Sequence, residues 1–219
     1  MENNVSNSDY FIDKIDAILY INLEHRIDRK EHCLNEIKKI DPTLQKTHRM
    51  DAVYSKENGA MGCSLSHIKA IQYFLEHPAW KTCLILEDDF TFLSNDSIKI
   101  NNLLINTYMN IPDFDVLLLA VGNTDLKIIN TTFPHIKKVI SSQTASGYVF
   151  TREYASILLV NYMNGVNDMK QNGRMHSNCL DQYWKCLMPL ANWYTIYPRI
   201  AYQYGNYSDI ERRHVSYEC

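Results

Sequence analysis

Three acids stand side by side at Glu87-Asp88-Asp89, directly after the apolar run Cys83-Leu84-Ile85-Leu86. Adjacent carboxylates repel one another, and a divalent cation is the simplest way to neutralise them where a strand ends. Along an extended segment alternate side chains share a side, so Glu87 and Asp89 are expected to point the same way. Two same-side oxygen ligands, completed by phosphate and water oxygens, suit Mg2+ or Mn2+. The competing reading is a solvated strand end or a helix cap, and on the triplet alone the two stand level.

A second segment, Ile21-Asn22-Leu23-Glu24-His25-Arg26-Ile27-Asp28-Arg29, follows the first apolar run of the chain. Asn22 can both donate and accept hydrogen bonds, as recognition of a base edge requires. Arg26 and Arg29 are three apart, so on a first helical turn they share a face at the end whose dipole favours phosphate. A capped helix with ordinary surface charges accounts for these residues more simply. In a third segment, Gly59-Ala60-Met61-Gly62-Cys63-Ser64-Leu65-Ser66-His67, two glycines ahead of a helix permit close backbone approach to a ligand. Ser64 or Ser66 can cap that helix or touch a ribose or phosphate. His67, alone in an amphipathic helix, reads as packed and hydrogen-bonded.

Taken in series, these segments resemble glycosyltransferase family 25, which includes lipopolysaccharide sugar transferases and collagen hydroxylysine galactosyltransferases. The matching stretches are Ile21-Asn22-Leu23 with Arg26 and Asp28-Arg29, then Gly62 to His67, then Leu84 to Asp89. Gln203 and Tyr207-Ser208-Asp209-Ile210 are similar to the family's closing motif, and Asp181 falls where the family carries an acid. The resemblance implies a GT-A-like fold, a divalent metal at the acidic motif and a UDP-sugar donor, often UDP-galactose or UDP-glucose. It also implies inversion at the anomeric carbon and a glycan or protein acceptor. The chain is short beside the collagen-modifying enzymes, which weakens collagen as the acceptor.

The working assignment places Asn22, Leu23, Arg26, Arg29, Asp51, Gly62, Ser66, Glu87, Asp88, Gln203 and Ser208 beside the donor nucleotide. Glu87, Asp89 and Asp209 are the expected metal ligands, with His214 or His176 as an extra one. Asp181 is the expected general base, since a carboxylate in a partly apolar site suits that role; an N-cap is its ordinary alternative. Asp115 is held in reserve and reads as structural. Two other classes compete: another metal-dependent phosphoryl-transfer enzyme, disfavoured by the lack of a phosphate-loop signature, and a catalytically silent nucleotide-sugar or glycan-binding relative.

The elements that must hold these residues alternate between short apolar runs and helical spacing, the mark of an α/β protein. Ala17 to Ile21, a short stretch near Met50, Cys83 to Leu86, Asp115 to Ala120, Gly147 to Phe150, Trp193 to Tyr197 and Ile200 to Tyr204 read as strands. Asp28 to Ile40, Ser64 to Glu76, Ser97 to Met109, Arg152 to Met163 and Asp181 to Leu187 read as helices, and Asn58-Gly59 as a turn. Strands separated by helices imply a mostly parallel sheet flanked by helices.

Length and charge fit that picture. The 219 residues suit a single domain, 1–219, with residues 1–14 as a polar N-terminal extension. A hydrophobic share of 46% supplies a core, and a net charge of −3 without a basic face argues against nucleic-acid binding. The N-terminus lacks the apolar core of a signal peptide, and no apolar run is long enough to span a bilayer, so a cytoplasmic protein with few or no disulfides is expected.

Overall fold

The structure, a computed structural model, describes residues 10–111, 113–122, 124–205, 207–208 and 213–214. In chain order its elements are β1 (Ala17–Asn22), α1 (Ile27–Ile37), β2 (Thr47–Asp51), α2 (Gly59–Leu75), β3 (Thr82–Glu87), β4 (Phe90–Phe92) and α3 (Ser97–Asn110). There follow β5 (Val116–Leu118), β6 (Lys127–Asn130), β7 (Ile136–Ser141), β8 (Gly147–Thr151), α4 (Arg152–Asn172), α5 (Leu180–Tyr183), β9 (Trp193–Ile196), β10 (Ala201–Gln203), β11 (Tyr207–Ser208) and β12 (Arg213–His214).

Eight strands form one sheet in the order β2-β1-β3-β8-β5-β9-β7-β6. Strands β8 and β7 run against the other six, so the sheet is mostly parallel. Side chains alternate across a strand, and a strand covered on both faces must therefore be apolar throughout. That is why β1 and β3 read as unbroken apolar runs. Leu19, Ile21, Cys83 and Ile85 pack in one layer with α2 and α4, whereas Ile18, Tyr20, Leu84 and Leu86 pack in the other with α1 and α3. Trp184 and Trp193 are fully buried in the first layer and meet edge to face at 5.1 Å. Their indole nitrogens donate to the Ser142 carbonyl and the Tyr154 hydroxyl, so neither polar tip is stranded.

The structure corrects several element boundaries. Helix α2 begins at Gly59, not Ser64, because the Asn58 side chain caps it by accepting from Met61 N at 3.1 Å. Both glycines of the motif thus lie in its first turns, and Asn58-Gly59 is a helix start. Helix α4 runs nine residues past Met163, to Asn172, through Asn164 and Gly165. Gly165 is there for packing: a Cβ on it would lie 3.2 Å from the Tyr183 ring. Strands β6 and β7 escape the periodicity because they form the sheet's polar edge. The strand expected at Ile200 to Tyr204 does not join the main sheet. As β10 it pairs antiparallel with the unforeseen β4. Among the described residues, no helix is long and apolar enough to cross a membrane.

Candidate active site

Strand β3 delivers the acidic triplet to its carboxyl end, the side of an open α/β sheet where ligands bind. The strand stops at Glu87, and Asp88-Asp89 form a turn into β4. The expectation that Glu87 and Asp89 point the same way fails at this turn. Glu87 faces α2, and Asp88 and Asp89 together face α1.

Arg29, in the first turns of α1, bridges that pair. Its Nη1 lies 2.7 Å from Asp88 Oδ1 and 3.2 Å from Asp89 Oδ2. Asp88 Oδ2 also accepts from Asn22 Nδ2 at 2.7 Å, and Asp89 Oδ2 from Gln203 Nε2 at 3.1 Å. The other oxygen, Asp89 Oδ1, is buried with no hydrogen-bond partner among the described residues. Burial, together with the charges of Glu87 and Asp88, pushes the Asp89 carboxyl up to about 7. Burial raises Asp88 as well. Burial acts in the same sense on Glu87, but the hydrogen bond and charge of His67 outweigh it and hold that carboxyl below its ordinary value.

The helix α2 motif resolves into two i,i+4 pairs with different tasks. Gly62 and Ser66 pack the loop after β2: Ser66 Oγ donates to the Gly62 carbonyl at 2.7 Å and accepts from Val53 N at 2.8 Å. A Cβ on Gly62 would sit 2.5 Å from the Val53 oxygen, so only glycine lets the loop come this close. Cys63 and His67 face Glu87. His67 is fully buried, as a packed histidine should be, with Nε2 3.1 Å from Glu87 Oε1 and Nδ1 2.9 Å from the Tyr148 hydroxyl.

Around these groups lies a cleft that opens to solvent at the carboxyl end of β3. Leu23, Arg29, Ser66, Glu87, Asp88, Asp89 and Gln203 line it. Asp51 lines a neighbouring concavity with Leu23, His25 and Tyr54, and Arg49 reaches its carboxylate. Asn22 is 1% exposed, its amide donating to Asp88 and the Arg26 carbonyl and accepting from Arg49, so it orients an acid from below. Arg26 clasps Asp28 at 3.0 and 2.8 Å, and that hydrogen bond takes the Asp28 carboxyl down to about 2.

Asp181 lies in the first turn of α5 behind Cys179, the residue at the cap position, and outside the lining of the cleft. Its Oδ2 accepts from Thr144 N at 3.0 Å, and burial raises its carboxyl, with the charge of Glu87 acting in the same direction. Thr144 has φ of 84°, a backbone region that costs a β-branched residue strain. Asp115 accepts from Asn192 N at 2.8 Å and fastens the start of β5 to the approach to β9, the structural task expected of it. His176 and His214 are both exposed; His214 sits opposite Tyr207 in the β11–β12 ribbon. Ser208 belongs to that ribbon, paired with Arg213, and Asp209 falls outside the described residues. Neither Arg49 nor the contact between Cys63 and Glu87 was foreseen from sequence, although the Cys63–His67 spacing was a usable signal.

This architecture is that of a GT-A-like α/β protein with a carboxylate-rich cleft at the end of a parallel strand. No protein-family model matches the chain, and no curated protein does. Among solved structures, it is similar to a glycosyltransferase involved in the glycosylation of the major capsid of PBCV-1, with a TM-score of 0.58 at 9% identity over 90% of this chain and 95% of that one. More distant likenesses are A197 from STIV, at TM-score 0.48 and 12% identity over 92% and 93% of the two chains, and mannose-1-phosphate geranyltransferase from Thermus thermophilus, at 0.48 and 8% over 84% and 74%.

Proposed function

We propose that this protein is a metal-dependent, inverting glycosyltransferase that moves a hexose, galactose or glucose, from a UDP-sugar to a hydroxyl of a glycan or protein acceptor. The observation that carries this reading is Asp89 Oδ1, which has no hydrogen-bond partner among the described residues and lies buried beside two further acids and Arg29 at the mouth of the sheet. A hard divalent cation, Mn2+ or Mg2+, fits that oxygen and relieves the clustered charge. Asp89 would hold it, with Glu87 and Asp209 as the further candidates. When bound, such an ion offsets charge developing on the departing diphosphate.

The chain's own residues supply the rest. Arg29 and Gln203 fix Asp89 through its other oxygen, and Asn22 and Arg29 fix Asp88. Leu23, Asp51 and the loop clamped by Gly62 and Ser66 shape the nucleotide side, to which Arg26 and Ser208 are also assigned. Asp181 takes the acceptor proton as the hydroxyl attacks. Burial raises its carboxyl toward the range where a base works near neutral pH, and Thr144 N holds its orientation.

UDP release from a panel of UDP-sugars, with Mn2+ or with EDTA, tests the proposal on wild type and Asp89→Ala. Turnover of one donor that needs both the metal and Asp89 supports it. No release from any donor, with simple glycans and hydroxylysine peptides supplied, replaces it with a silent nucleotide-sugar binder.

A further inference from the structure

Helix α2 and strand β3 bring together a donor set of a different chemical kind. Cys63 and His67 lie one turn apart on the same face of α2, and Glu87 reaches them from the end of β3. Cys63 Sγ is 3.3 Å and His67 Nε2 is 3.1 Å from the same oxygen, Glu87 Oε1, and the three ligand atoms all lie within 4.8 Å of one another. A tetrahedral zinc centre, with bonds of about 2.3 Å to sulfur and about 2.0–2.1 Å to nitrogen and oxygen, has ligand-to-ligand edges of roughly 3.3–3.5 Å. Two of the three edges are therefore in place to within a few tenths of an ångström.

The surroundings suit a ligand histidine. His67 Nδ1 meets the Tyr148 hydroxyl at 2.9 Å, and Tyr162 donates to that hydroxyl in turn at 3.3 Å. In the tautomer that carries its proton on Nδ1, the Tyr148 hydroxyl accepts from the ring and Nε2 is left available to a metal. Cys63 and Glu87 are only partly buried, and both line the cleft, so an ion can enter and a fourth coordination position faces the open side. Charge also balances: one thiolate and one carboxylate neutralise a divalent ion, and the thiol proton leaves to solvent.

We propose that Cys63, His67 and Glu87 form a site for a borderline-soft divalent transition metal, Zn2+ or its stand-in Co2+. Its sulfur and nitrogen donors set it apart in chemistry from the hard-oxygen position at Asp89, and Glu87 is the acid that borders both. The thiolate and imidazole select against Mg2+ and Ca2+, which prefer oxygen alone. The inference stands apart from sugar transfer and is read without turnover.

The test is a CoCl2 titration of the full chain, stripped with EDTA and desalted, in excess Mg2+. A near-ultraviolet thiolate-to-cobalt charge-transfer band is expected, saturating at equimolar cobalt and bleached by equimolar zinc. Cys63→Ser should abolish the band, while Cys186→Ser, at an exposed cysteine, should leave it intact. No band, or a band that survives Cys63→Ser, overturns the proposal. Should Cys63→Ser fail to fold, wild type still decides: zinc must protect Cys63 from iodoacetamide in peptide mass maps, and unchanged alkylation rejects the site.

Discussion

Arg29 Nη1 lies 2.7 Å from Asp88 Oδ1, and both side chains are about nine-tenths withdrawn from water. The same guanidinium reaches Asp89, so one cation serves two carboxylates while Glu87 turns to His67. Removing one partner of a buried pair leaves an uncompensated charge and costs on the order of 3–5 kcal/mol. Arg29→Ala should therefore destabilise the metal-free protein by roughly 3 kcal/mol in urea unfolding. Adding Mn2+ should recover part of that loss, because the ion replaces the missing charge. Equal destabilisation with and without metal would show that the ion does not bind among these acids.

Asp89→Asn should strengthen the metal-free fold at neutral pH. The folded-state carboxyl titrates at about 7, well above its ordinary value of about 4. Between those limits the folded chain holds a proton that the unfolded chain has released, so stability falls as pH rises through the window. In EDTA the wild-type unfolding free energy measured in urea should fall between about pH 4 and pH 7, by a few kcal/mol at most for a shift of this size. The asparagine variant should show a flatter profile while losing metal-dependent turnover. A wild-type profile that rises over this range would contradict the raised carboxyl.

Alanine normally stabilises a helix relative to glycine by roughly 1 kcal/mol. Gly62→Ala should do the opposite, because its Cβ would fall 2.5 Å from the Val53 carbonyl oxygen. A loss of about 1–3 kcal/mol is expected from such overpacking. The Val53–Ser55 loop walls the cleft, so UDP binding measured by calorimetry should weaken in parallel. Gly62→Ala with raised stability would mean that the loop yields freely.

Asp181→Asn keeps the bond from Thr144 N, which an amide oxygen accepts as well as a carboxylate does. Transfer to acceptor should fall by a factor of about 10² or more, the usual contribution of a positioned base. Donor affinity should stay near wild type, since Asp181 lies outside the cleft that holds the donor acids. A loss of donor affinity with transfer otherwise intact would move the base elsewhere.

What the sequence disclosed and what it withheld divide along physical lines. Strands β1 and β3 were legible because burial on both faces leaves unbroken apolar runs, and α2 because its inward stripe is long. The acid triplet was found by composition, but its geometry was not. Whether Glu87, Asp88 and Asp89 alternate or turn depends on β10 returning more than a hundred residues later to pair with β4. No local pattern encodes that return. The length of α4 was misread for a similar reason, since Gly165 answers to the Tyr183 ring and not to helix propensity. Cys63 and His67 looked like packing residues one at a time; only the arrival of Glu87 makes them a group.

The β4–β10 pairing also sets an order of events. All strands of the main sheet lie before residue 197, so the sheet can pair before the segment that follows adds Ile200 and Ala201 to one of its layers. The acid turn cannot close without that segment. Tyr204 N donates to the Asp89 carbonyl at 2.7 Å and Gln203 holds the Asp89 carboxylate, and both arrive only with that later stretch. A chain in which residues 200–205 have not yet docked would thus carry a paired main sheet and an unfastened acid turn.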